Sequence, residues 1–148
     1  MILLDTNVIS EATKRLPQPS VVAWIDAQEA SSLFICSPVL AELYYGIERL
    51  AAGGRYERLK VWIERLEFDL YAGRVLPFDA AAARAFGRLT AARERTGRRI
   101  EPVDALIAAI ALANQMALAT RDVDDFSGLG LDLINPFADA ASPPVSPR

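Results

Sequence analysis

The chain has 148 residues, 52% of them hydrophobic, with a net charge of −3. That is enough apolar matter for one domain around one core, far from a disordered composition, and there is no global basic field to announce a polyanion. With no histidine and a single cysteine, Ser–His and Cys–His catalysis, an internal disulfide and the usual zinc ligand sets are excluded, so any metal would be held by oxygen, as Mg2+ or Mn2+.

Ile2, Leu3 and Leu4 form a short apolar run closed by polar residues, which predicts a strand buried on both faces. Asp5 stands at its carboxyl end, where open α/β sheets bind ligands, although it could equally serve only to cap the next helix. Thr6 or Asn7 can cap a helix expected over 8–14, which Pro17 and Pro19 break. Ser20 is the expected cap of a helix through Val21, Trp24 and Ile25, and Leu33-Phe34-Ile35-Cys36 is the second strand, with Cys36 a small buried hydrophobe.

Ser37-Pro38 predicts a helix start, serine as cap and proline at the first helical position, running to about 52 and ending at Gly53-Gly54. Its apolar stripe is Leu40, Leu43, Tyr44 and Ile47, with Glu42 at the stripe's edge. A second helix over 55–71, with Leu59, Trp62, Ile63, Leu66 and Leu70 on one side, pairs with it as a helical hairpin. Residues 74–78 predict a third strand ending near Pro77.

Asp79 is the expected cap of an alanine-rich helix over 80–95. The segment 88–99 carries five arginines and one acid; Arg95, Arg98 and Arg99 make either a phosphate-contacting patch or an ordinary solvated helix end. Glu101-Pro102-Val103-Asp104 opens a slim, alanine-rich helix. Residues 116–120 predict the fourth strand, followed at once by Arg121 and Asp122; 123–128 reads as loop and 131–134 as a last strand. The tail has too few large apolar residues to fold.

Alternation of strand and helix implies a mainly parallel sheet. Asp5 and Asp122 then follow strands at their carboxyl ends, and Glu42 and Asp104 begin helices that enter at the same edge. Two carboxylates ~4 Å apart repel by roughly 4 kcal/mol at an effective dielectric of 20, against a total folding margin of roughly 5–15 kcal/mol. A divalent cation offsets that repulsion, and oxygen ligation with no histidine base is the chemistry of metal-assisted phosphodiester hydrolysis.

The motifs Leu4-Asp5-Thr6-Asn7, Ser37-Pro38-Val39-Leu40-Ala41-Glu42-Leu43-Tyr44-Tyr45-Gly46, Asp104 with Ala105-Leu106-Ile107-Ala108-Ala109, and Ala119-Thr120-Arg121-Asp122-Val123-Asp124-Asp125-Phe126 occur in order. Together they resemble the PIN-domain ribonucleases, and more closely the VapC-type toxins of bacterial toxin–antitoxin pairs, over 1–137. The resemblance implies a three-layer α/β/α PIN fold with a mainly parallel sheet of four or five strands and a helical hairpin, followed by a disordered tail, 138–148. It implies a catalytic quartet of Asp5, Glu42, Asp104 and Asp122 around Mg2+ (Mn2+ as substitute), with Asp5, Asp104 and Asp122 as ligands and Thr6, Asn7 and Thr120 in support. Asp125 is a further, loop-borne candidate. Many members have asparagine at position 122; the aspartate here keeps a full charge. The implied substrate is RNA and the implied partner a cognate antitoxin, with homodimerisation and promoter DNA reached through the antitoxin; the short first apolar run, interrupted by Asp5, and the lack of any apolar stretch of membrane-spanning length predict a cytoplasmic, membrane-free location. Two other readings stand beside it: a non-catalytic module in a DNA-bound regulatory complex, and a phosphohydrolase using Asp5 as covalent nucleophile, for which Asn7 stands where a second aspartate is wanted.

Overall fold

The computed structural model describes residues 1–138. Five strands, β1 (Ile2–Leu4), β2 (Leu33–Cys36), β3 (Val75–Leu76), β4 (Ala117–Ala119) and β5 (Leu133–Ile134), form one sheet in the order β3-β2-β1-β4-β5, and every pairing is parallel. Seven α-helices connect and cover them among the described residues: α1 (Thr6–Glu11), α2 (Pro19–Asp26), α3 (Ser37–Glu48), α4 (Gly54–Arg65), α5 (Ala80–Arg95), α6 (Pro102–Ala113) and α7 (Val123–Phe126). Consecutive residues Leu3 and Leu4, Ile35 and Cys36, and Leu118 and Ala119 are all fully buried. Neighbouring strand residues point to opposite faces, so both faces of the sheet are covered, the condition that lets a parallel sheet exist in water. The result is the expected three-layer α/β/α arrangement.

The strand order places the site. From β1 the chain crosses to β2 on one side; from β4 it crosses to β5 on the other. The boundary between β1 and β4 is therefore the point where the winding reverses, the place beyond the strand ends where open α/β sheets bind ligands. Leu4 is in register with Ala119, and the Asp5 N–H donates to the Ala119 carbonyl at 2.9 Å. Asp5 and Thr120, each one residue past its strand, thus stand side by side at that boundary.

Several local expectations are corrected. Helix α1 begins at Thr6, not near residue 8, because Asp5 itself is the cap. Pro19 opens α2, so Gln18 holds the cap position and Ser20 lies inside the first turn with its hydroxyl unpartnered. Cys36 occupies the cap position of α3; Ser37 and Pro38 are its first two residues, and no side chain caps it. That helix ends at Glu48, short of 52, and α4 ends at Arg65, continuing as a π-helical turn over Leu66–Leu70 in which the Tyr71 N–H donates to the Leu66 carbonyl at 2.9 Å. The α3–α4 hairpin is present, tied by Tyr44, whose hydroxyl donates to Glu67 at 2.8 Å. Asp79 does cap α5, accepting from the Ala82 N–H at 2.9 Å. The segment expected as loop after Asp122 opens with α7. The expected tail, beyond Ala138, lies outside the described residues.

Candidate active site

The site is assembled from the end of β1 outward. Asp5 is 5% exposed and uses both carboxylate oxygens. Its Oδ1 accepts from the Thr6 N–H at 2.7 Å, which starts α1; its Oδ2 accepts from Thr120 Oγ1 at 2.7 Å and from Asn7 Nδ2 at 3.1 Å. The cap expected of Asp5 is therefore present, and the same side chain is also bonded to Thr120 and Asn7 at the strand ends. Asn7 Nδ2 also lies 3.0 Å from Asp122 Oδ2 and 3.3 Å from Thr120 Oγ1, while its Oδ1 accepts from the Arg121 N–H at 3.2 Å. Thr120 is fully buried, and its Oγ1 accepts from the Asp122 N–H at 3.0 Å. Thr6 reaches in the other direction and donates its hydroxyl to Glu42 Oε2, fastening α3 to the start of α1. The supporting trio Thr6, Asn7 and Thr120 thus links Asp5, Glu42 and Asp122.

Asp104, in the first turn of α6, joins through charge. Its carboxyl is pushed up to about 6, first by burial and then by the negative charges of Asp5, Asp125, Glu42 and Asp122. Asp5 is also raised: burial dominates, opposed by the hydrogen bonds from Thr120 and Thr6, with Glu42 and Asp122 adding repulsion. Burial, with the charges of Asp5 and Glu42, pushes the Cys36 thiol up to about 12, so it is inert beside the acids. Four acids remote in sequence share one region of negative potential.

The only ion pairs among the described residues are those of Glu11 with Lys14 and Arg121, so no cationic side chain neutralises the quartet. By donor chemistry, an all-oxygen, anionic set is the kind a hard divalent cation takes. Among the described residues, no three histidine, cysteine, aspartate or glutamate side chains converge into a ready-made metal-holding group.

Asp104 also borders a cleft of about 380 Å3, lined by Arg93, Arg98, Arg99, Glu101, Asp124 and Asp125 among others. Arg99 is exposed on its rim. Arg98 donates to the Asp124 carbonyl and the Ser127 hydroxyl, both at 3.2 Å, so it supports the α7 turn as well as facing solvent. Arg95 is exposed but is not among the cleft's lining residues.

Two groups were not singled out by the sequence. Arg93 is 6% exposed, and its Nη2 donates to the carbonyls of Asp125 and Ser127 at 2.7 Å each, anchoring the turn that follows Asp122. The signal was the stripe Ala82, Ala85, Leu89, all buried: its next helical step falls on Arg93. Glu11 is 2% exposed at the end of α1 and follows Asn7 by four residues, hence on the same helix face; no sequence signal distinguishes it from a surface acid.

Comparison with known proteins adds the following. The model of the PIN domain matches residues 2–130. The chain is 43% identical to "VapC ribonuclease Y4jK" of Sinorhizobium fredii over 95% of this chain and 100% of that protein. It is 35% identical to "Toxin FitB" of Neisseria gonorrhoeae over 94% of this chain and 100% of that protein. The structure of FitAB bound to an IR36 DNA fragment is similar, with a TM-score of 0.88 and 35% identity over 93% of this chain and 96% of that one.

Proposed function

This chain belongs to the PIN domain family, and on that footing we propose that it is a Mg2+-dependent endoribonuclease, the toxin of a toxin–antitoxin pair. The observation that carries the reading is the shared donor system at the strand ends: one Asn7 amide bonded to both Asp5 and Asp122, and one Thr120 hydroxyl bonded to Asp5 and to the backbone of Asp122. Gathering these carboxylates costs folding energy through burial and mutual repulsion, a cost that a bound cation would offset. The relatives named as ribonuclease and toxin support the substrate class and the biological role.

In this reading Asp5, Asp104 and Asp122 hold the cation, with Mn2+ able to replace Mg2+, and Glu42 completes the quartet. Bound at these oxygens, the ion supplies an activated water and stabilises charge developing on the phosphate. The chain's own part is orientation. The hydrogen bonds from Thr120 and the Thr6 N–H favour the ionised form of Asp5 against its burial, which still leaves the carboxyl raised. Asn7 fixes the spacing of Asp5 and Asp122 without adding charge, and it occupies the place a second aspartate would need for covalent phosphohydrolase chemistry. Arg98 and Arg99 line the same cleft as Asp104, where they would meet RNA phosphates, and Arg95, exposed outside that cleft, would add a further phosphate contact. The likeness to FitAB on a DNA fragment, and to VapBC2 of Rickettsia felis on a fragment of its promoter, supports an antitoxin partner and promoter DNA bound by the pair; in this reading that partner also inhibits the site.

The test is RNA cleavage by the purified chain. Cleavage that needs Mg2+ or Mn2+, stops on chelation and is lost in Asp104→Asn while the fold survives is the expected result. Full cleavage by Asp104→Asn, or in excess chelator, would refute the metal mechanism.

A further inference from the structure

A cationic side chain grows from the middle of the acidic site and is held away from it. Arg121 lies between Thr120 and Asp122, and its N–H is bonded to Asn7. Its guanidinium does not turn toward the acids. It pairs with Glu11 at 3.2 Å and stacks over the Phe137 ring, 4.0 Å from the centroid. Glu11 is itself secured: its Oε2 also accepts from Lys14 Nζ at 2.6 Å, and its Oε1 accepts from the Gln18 N–H at 2.8 Å. The hydrogen bond from Lys14 and then that from the Gln18 N–H hold its carboxyl below the ordinary range. The Glu11 side chain is 3% exposed and that of Arg121 46%. A buried carboxylate is costly unless paired, and this one is placed where it can detain the nearest arginine.

We propose that Glu11 is a positioning residue for the acidic site: it withholds the Arg121 guanidinium from Asp122 and Asp5, so that their oxygens stay available to a divalent cation. Guanidinium and metal ion compete for the same carboxylate geometry. Released from Glu11, Arg121 would pair with the neighbouring acids and quench the site from within. The inference rests on the metal reading above and extends it to the control of the site's charge.

The experiment is calorimetric titration of the metal-free full chain with Mn2+, without RNA, for the parent, Glu11→Gln, Arg121→Gln and the double variant. Glu11→Gln is expected to weaken Mn2+ binding about tenfold (about 1.4 kcal/mol), and the double variant to return to within about twofold of Arg121→Gln. A merely structural Glu11 would leave the double variant at least as weak as the single one, and that result overturns the inference, as does parent-like binding by Glu11→Gln. No Mn2+ binding by the parent overturns the metal reading and this inference with it. If Glu11→Gln does not fold, Glu11→Asp, which draws the charge back by one methylene, is read in the same way.

Discussion

Thr120 Oγ1 donates to Asp5 Oδ2 at 2.7 Å across the boundary between β1 and β4, while the same oxygen accepts from the Asp122 N–H at 3.0 Å. One fully buried hydroxyl therefore serves two members of the quartet. Thr120→Val keeps the shape and leaves a buried carboxylate oxygen and a backbone donor short of a partner. The expected loss is about 1–3 kcal/mol of unfolding free energy in a urea titration, with Thr120→Ser recovering most of it. The Asp5 carboxyl, followed by NMR, should rise further in the valine variant because the hydroxyl now lowers it.

Asp104→Asn should separate stability from activity. In the folded, metal-free chain Asp104 keeps its proton to about pH 6; the ordinary value is 3.8. Between those values the folded chain binds more protons than the unfolded one, so stability falls as pH rises through that window, and the cost is fully present above it. At pH 7 the asparagine variant should be more stable by about 1–2 kcal/mol after allowing for solvent screening, and the gain should vanish below about pH 4. Thermal unfolding at the two pH values measures it. RNA cleavage should be lost at both.

The two kinds of arginine around the cleft should behave differently. Arg93→Met removes both bonds to the Asp125 and Ser127 carbonyls, and should cost about 2–3 kcal/mol of stability. Arg99→Ala should leave unfolding unchanged, because the side chain is exposed. It should weaken RNA binding about equally across sequences and reduce the slope of log affinity against log salt by about 1. An unchanged slope would remove Arg99 from the RNA path.

Removal of the hydroxyl that joins α1 to α3 gives a further check. Thr6→Val should leave Asp5 as the cap of α1, since that bond uses the Thr6 backbone, but should free Glu42. The expected outcome is a loss of about 1 kcal/mol in stability and a larger fall in cleavage than in RNA affinity. Equal falls in both would mean that Glu42 acts only in binding.

The sequence disclosed the parts of this site that depend on chain direction and little of what depends on packing. Asp5 was legible because it directly follows a short apolar run, Asp122 because it comes just after the polar pair that closes another, and Asp104 because Pro102 marks a helix start. Their meeting follows from strand order, which alternation alone constrains. The caps were less legible: Pro19 opens α2 and Ser20 falls inside its first turn, while α3 starts one residue before its proline, so Ser37 is already helical. Arg93 and Glu11 were hidden because a buried charge has the same letter as an exposed one; only the neighbouring carbonyls and donors, distant in sequence, distinguish them.

Because the carboxylate that begins α1 also accepts from Thr120 and Asn7 at the strand ends, the first peptide of that helix is wired to whatever binds beyond the sheet. An occupant that draws electron density from Asp5 must loosen its hold on the Thr6 amide, so that amide's exchange rate and chemical shift become a native gauge of occupancy, needing no label and no substrate.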